Sequence, residues 1–445
     1  MFTTPTKTKN LALLMIAVGL ILFVIGFISS PDRGWASLLH NSFFFMAISL
    51  GGIFFLAIQY AAQAGWSAGI LRVMQGTGSF LPYAGVILLI VFVAGGLHKN
   101  HLYHWMDTFI TTEEVSVGEL RDYESHMHHP AAEAHADEHH GDAHAEEAAH
   151  HMYAEQYAKN DAEEVIANPH YDSIIAGKTG YLNFPFFMLR AIIYLLGWYL
   201  GWRVLRKLSL KEDAEGGTHN YKKAIKYSAI FLVFFAVTSS TAAWDWIMSI
   251  DTHWFSTLFG WYVFASFFVS AVTVIAMTTV YLKGEGYLTN VNENHLHDLG
   301  KFMFAFSIFW TYLWFSQFML IWYANIPEEV TYYMARFDQY KVPFFLMLFL
   351  NFIMPILVLM SRDAKRVQGL ILFVGSIILL GHWLDFYVMI MPGTVGENWG
   401  IGAAELGALI AFIGAFILVL FRTLSKAPLV QENHPMLKES KYHHI

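Results

Sequence analysis

Apolar residues along this chain come in long unbroken blocks, separated by short polar segments and one long one. Ten blocks stand out: Leu11–Ser29, Asn41–Tyr60, Phe80–Gly96, Phe184–Trp202, Ala224–Ala243, Ser256–Leu282, Phe302–Tyr323, Phe344–Met360, Leu370–Met391 and Ile401–Phe421. A hydrocarbon core about 30 Å thick is crossed by about 20 helical residues at a rise of about 1.5 Å each. Lipid offers no partner to open backbone, so each block is expected to be a helix. The pattern predicts an all-α integral membrane protein with ten transmembrane helices. The first block follows Lys7 and Lys9 and ends at Ser29-Ser30-Pro31 with no A-x-A site. It therefore reads as a retained anchor, not a cleaved signal.

Charge then orients the helices. With both termini on one side, the termini and the segments 61–79, 203–223, 283–301 and 361–369, together with Lys226, hold 19 Lys/Arg and 9 Asp/Glu. The remainder holds 8 Lys/Arg and 26 Asp/Glu. By the positive-inside rule both termini are expected in the cytoplasm. Trp35, Trp105, Trp244, Trp246, Trp254, Trp322 and Trp399 then fall at the outer interface, where indole rings anchor helices or meet a partner.

A short repeat divides the chain. Asn183-Phe-Pro-Phe-Phe187 opens the fourth block and Lys341-Val-Pro-Phe-Phe345 opens the eighth. Pro suits the first turn of a helix. Two four-helix bundles follow, spans two to five and six to nine, with spans one and ten as two peripheral helices. The corresponding segments are an anchor over 1–37, a first bundle over 38–243 that includes a long outer loop at 97–183, a second bundle over 244–391, and a last helix with a tail over 392–445.

Composition narrows the chemistry. The chain is 14% charged and has no Cys, against roughly 25% charged in soluble domains. Disulfides, thiolate zinc sites, iron–sulfur ligand sets and CxxCH haem attachment are thereby excluded. Axial haem ligation is not expected either, because His382 has no facing His at its depth. No feature points to nucleic acid.

The outer loop contains a His-rich tract, 126–151, with nine His among Asp, Glu and Ala. Such a mixture suits capture of zinc, copper or nickel, with His126, His128, His129, His139 and His140 as metal candidates. The irregular spacing fixes no single coordination polyhedron and better suits a solvated acidic tract lying over a partner. The flank Asn168-Pro-His-Tyr-Asp172 suggests docking.

Ionisable groups at membrane depth are expensive and mark function. His382 and Asp385 lie three apart on one face of span nine. Glu405 begins span ten, His40 begins span two, and His98 follows span three. Asp245 and His253 flank the fifth connection, and Gln317 is inside span seven. All are expected in the outer half, as parts of a proton path or a quinone pocket. Both need titratable groups, one as a chain and the other as a donor and base for a head group. At the inner end His297, Asp298 and Lys301 are candidates for a proton entrance, or an ordinary helix start.

Three segments carry a resemblance: Trp244-Asp-Trp-Ile-Met-Ser-Ile-Asp-Thr-His-Trp-Phe-Ser-Thr-Leu-Phe-Gly260, His297-Asp-Leu-Gly-Lys301 and Phe315-Ser-Gln-Phe-Met-Leu-Ile-Trp-Tyr-Ala-Asn-Ile-Pro-Glu-Glu329. They resemble the ActF family, the second NrfD-like (polysulfide-reductase-type) membrane subunit of bacterial alternative complex III. The resemblance runs through all ten spans and is poorest in the outer loop. It implies a subunit of a quinol:electron-acceptor oxidoreductase that carries no redox centre of its own. Haem and iron–sulfur clusters would sit in partner subunits: the first NrfD-like subunit, an iron–sulfur subunit and haem c subunits, with a terminal oxidase as a further partner. This chain would contribute membrane anchoring, a quinone site, assembly contacts or a proton path. The rival classes are a divalent-metal or small-solute transporter and a purely structural subunit.

Overall fold

The computed structural model describes residues 2–127 and 163–444. Among the described residues ten helices are long and apolar enough to cross a membrane: Thr6–Ser29, Pro31–Ala61, Leu71–Gly96, Phe184–Glu215, His219–Ile250, Phe259–Gly284, Glu293–Ala324, Lys341–Leu359, Gln368–Asn398 and Ala403–Leu424. They are spans one to ten below. The protein is an all-α, multi-pass membrane protein.

Several spans run longer than their apolar blocks. Span two starts at Pro31 and span four continues to Glu215, because the polar turns at their ends form helix outside the hydrocarbon. Caps set the starts. The Asn183 side chain accepts from the Phe186 N–H at 3.0 Å, with Pro185 in the first turn. Asn292 caps span seven, and its own N–H reaches His295 Nδ1 at 3.2 Å. Pro355 lies in span eight and has no N–H to donate, and the helix passes it through a π-bulge at Phe349–Ile353. Asn351 sits in that bulge and is fully buried.

Packing follows the expected division. Spans two to five pack around one another, spans six to nine likewise, and spans two and six form the seam between the two groups. Those two are the most enclosed, with 89% and 83% of their apolar windows buried. The seam is aromatic: Phe54 stacks on Phe235 at 4.5 Å and meets Phe268 edge-on at 5.2 Å.

Spans one and ten pair outside the bundles, through glycine. A Cβ at Gly26 would stand 2.2 Å from the Ala404 nitrogen, and one at Gly19 would stand 2.4 Å from that of Ala411. Gly407 and Gly414 present the same close approach from span ten. Small residues every seven positions let the backbones touch, the usual source of helix association in lipid.

Both termini lie at one end of the bundles, called here the terminal face. Phe2 packs on Tyr287 and Phe421 there. The segment after span ten folds back across this face. Gln431 donates to Glu212 at 2.7 Å, Ser440 bonds His295 Nε2 at 3.0 Å, and His443 reaches Asp298 at 2.7 Å. At the opposite, far face the described residues of the long loop include a two-stranded antiparallel ribbon, Glu114–Ser116 with Val165–Ala167. Asn168 ties it down by donating to the Phe109 and Thr112 carbonyls. Asp172 meets His253 at 2.5 Å, so the Asn168–Asp172 flank docks on this chain's own fifth connection.

Candidate functional site

Span nine turns His382 and Asp385 inward together, and three other helices close over them. Neither side chain has any solvent exposure. Asp385 accepts three hydrogen bonds: from Ser266 Oγ at 2.7 Å, from Trp310 Nε1 at 2.8 Å, and from the Tyr262 hydroxyl. Tyr262 and Ser266 lie four apart on span six, so one face of that helix delivers both. Other buried hydroxyls of span six, Ser270, Thr273 and Thr279, donate to carbonyls one turn back. Ser266 instead spends its proton on the carboxylate. A carboxylate at this depth is tolerated because donors replace its hydration.

His382 joins the network through the same serine. Its Nδ1 lies 2.9 Å from Ser266 Oγ and 3.4 Å from both Asp385 Oδ2 and Asn351 Nδ2. A hydroxyl has one hydrogen, and that of Ser266 points to Asp385. The proton between His382 and Ser266 therefore belongs to Nδ1. His382 Nε2 and Asn351 Oδ1 are buried with no partner. Gly381 makes the approach of Asn351 practicable, since a Cβ there would lie 2.1 Å from Oδ1.

Toward the far face the network opens on a cavity of about 10 Å³, bordered by Tyr262, Gln317, Tyr332, Tyr333, Arg336 and Met389. This is about the space one water needs. Gln317 is buried and its Oε1 has no hydrogen-bond partner. Arg336 closes the outer wall, donating to the carbonyls of Tyr332, Val388 and Met389 and to Asp251 at 3.0 Å. Its guanidinium lies 3.3 Å from the Tyr332 ring centroid, and Trp254 stacks on the other side of that ring at 3.8 Å. Burial works against the Arg336 charge, but Tyr332 and Asp251 more than offset it and hold its pKa above the ordinary value. Burial pushes the Tyr332 and Tyr333 phenols up, so both stay protonated.

The remaining sequence candidates are not gathered at one place. His40 touches the site's rear: its Nε2 bonds the Trp383 carbonyl at 2.9 Å, while Asn41 accepts from Trp383 Nε1 at 3.0 Å. His40 Nδ1 is buried without a partner. Asp245 belongs to the other bundle, where Arg190 grips it with two bonds of 2.8 and 3.2 Å. His253 is more than half exposed and bonds Asp172. Neither Asp245 nor His253 bonds to His382 or Asp385. Glu405 holds Arg33 and the Gly402 N–H, an ion pair closing spans two and ten. His98 is exposed in a left-handed turn that ends span three. At the terminal face Asp298 bonds Lys301 at 2.8 Å and His443, with His297 Nδ1 3.9 Å away. No hydrogen bond links this group to His382.

Of the metal candidates, His126 is at the end of the helix Val117–Met127, and His128, His129, His139 and His140 lie outside the described residues. Among the described residues no group of three or more His, Asp or Glu could hold a metal ion.

Five participants escaped sequence reasoning: Tyr262, Ser266, Trp310, Asn351 and Arg336. The i,i+4 pairing of Tyr262 with Ser266 was the one signal available, and it is indistinguishable from other hydroxyls on apolar helices. No protein-family model matches the chain, and no curated protein matches it.

Proposed function

We propose that the protein is a membrane subunit of a quinol-oxidising respiratory complex of the alternative complex III type, set in the bacterial inner membrane with both termini cytoplasmic. In this reading electrons pass through haem and iron–sulfur clusters of partner subunits, and this chain handles protons. The supporting observation is the buried series His382–Ser266–Asp385–Tyr262, in which every neighbour is a hydrogen-bond partner. With His382 protonated on both ring nitrogens, its Nδ1 proton passes to Ser266 Oγ while the serine's own hydrogen moves to Asp385 Oδ2, leaving a neutral imidazole. The hydroxyl is regenerated and the carboxyl becomes neutral. Tyr262, bonded to Oδ1, then gives its hydrogen to a water in the cavity and takes one from Asp385 once the carboxyl group has turned to bring its hydrogen to the phenol. The site's size favours this role over a quinone pocket, since a cavity of about 10 Å³ holds a water and no ring.

The test is Asp385→Asn in the intact complex, assayed for quinol oxidation and for proton uptake and release. The relay requires proton movement to fall by at least the 10²-fold typical of a lost proton-transfer group, with assembly unchanged. Unaltered coupling and turnover would reduce the cluster to a packing motif. The complex itself is tested by purifying the tagged chain and recording an absorption spectrum: haem bands and co-purifying subunits are expected, and a colourless monomer would sink the assignment.

A further inference from the structure

Span three presents an apolar ridge to the outside of the first bundle. Val86, Ile90, Val93 and Leu97 recur every three or four residues and are each at least 40% exposed. With Leu89, Ala94 and the indole of Trp35 they line a groove of about 440 Å³ whose one charged lining residue is Lys99. From Val86 to Leu97 the helix rises about 16 Å, the depth of one leaflet of a core about 30 Å thick. The apolar end of the groove is thus near the bilayer midplane. The other end, with Trp35 and Lys99, lies at the far-face interface, where indole and ammonium groups prefer to be.

Lys99 and Lys341 are exposed cations of this face without a counter-charge, and of the two Lys99 lines the groove. Arg33 is paired with Glu405, Arg190 with Asp245, and Arg336 with Asp251. The Lys99 side chain is exposed and makes no hydrogen bond or ion pair. On a side of the protein rich in carboxylates, an unpaired ammonium at the mouth of a leaflet-deep apolar groove calls for an anion tethered to an acyl chain.

We infer that this groove binds one glycerophospholipid with an anionic head group, its acyl chain along Val86–Leu97 and its phosphate at Lys99. A quinone is a poorer occupant, because its two carbonyls stand on opposite sides of the ring, whereas the donors of the lining, Trp35 and Lys99, lie together at one end of the groove. A partner helix is poorer too, since a cylinder about 10 Å wide would need contact beyond one leaflet.

The intact protein, with whatever it co-purifies, is washed in mild detergent, and retained phosphatidylglycerol and phosphatidylcholine are counted by native mass spectrometry. One phosphatidylglycerol per chain is expected to outlast the rest. Lys99→Ala should cut the preference for phosphatidylglycerol over phosphatidylcholine about fivefold, the effect of one interfacial cation. Val93→Trp, an exposed position, should fill the groove and remove the retained lipid with either head group. Equal lipid retention and head-group preference in all three proteins would overturn the proposal. So would a quinone, or a second polypeptide cross-linking to position 93, in place of the lipid.

Discussion

Trp310 Nε1 donates to Asp385 Oδ2 at 2.8 Å, on the same oxygen that Ser266 reaches at 2.7 Å. One carboxylate oxygen thus joins spans six, seven and nine. It gives the second bundle a polar centre whose members lie far apart in sequence. The indole is a donor only, so it holds the carboxylate without offering a proton exit of its own. The serine and tyrosine, which both donate and accept, are the elements able to pass a proton on.

That difference separates Trp310 from Tyr262 by experiment. Tyr262→Phe keeps the ring and removes the hydroxyl. It should cost about 1–3 kcal/mol of stability, the loss of a hydrogen bond to a buried charge, and interrupt proton movement. Trp310→Phe should cost a similar amount and leave proton movement intact once folded. Thermal unfolding in detergent, paired with the proton assay on the assembled complex, distinguishes the two.

The Arg190–Asp245 pair is expected to be structural. Asp245→Ala leaves a buried guanidinium over the rings of Tyr181 and Phe186 with no counter-charge. This should destabilise the protein by about 3–5 kcal/mol. The double change Arg190→Met with Asp245→Leu should recover most of that loss. A double-mutant cycle of unfolding free energies measures the coupling, and additive losses would show that the two residues act separately.

Gly26 tests the pairing of the peripheral helices. With the Ala404 nitrogen 2.2 Å from an added Cβ, Gly26→Leu forces span one away from span ten. Overpacking of this kind costs about 1–3 kcal/mol. The variant should lose protection of span one against protease while the two bundles, and proton movement, persist.

His434 supplies a pH dependence. It is buried beside Tyr60 and Tyr221 and accepts the Met436 N–H at 3.2 Å, so the docked ring is neutral. Burial lowers its pKa to about 4 from 6.5. Between those values the undocked tail binds the proton and the docked tail does not, so docking weakens as pH falls from about 6.5 toward 4 and is insensitive to this group above about 6.5. A spin label on Lys438→Cys, in a chain with no Cys of its own, should become mobile on acidification. His434→Phe should reduce the response, leaving the part carried by His295, whose Nε2 bonds Ser440 of the same tail.

Hydrophobic run length and the impossibility of open backbone in lipid determined ten helices from the sequence alone. Asn183 with Pro185, and Pro343 at the start of span eight, marked two helix starts directly. The pair His382–Asp385 was legible because one helix face carries both. Tertiary structure alone decided what surrounds them. Side chains from spans six, seven and eight meet that pair only after the bundle closes, and nothing local distinguishes Ser266 from Ser270, or Trp310 from an interfacial indole. Asp245 and His253 illustrate the reverse. Depth along the chain placed them near His382 and Asp385, but helix rotation turned Asp245 to Arg190 and left His253 to Asp172. Depth is a property of sequence in a membrane protein, since hydrophobicity measures it. Azimuth around each helix is a property of packing, and the candidate site is made of azimuths.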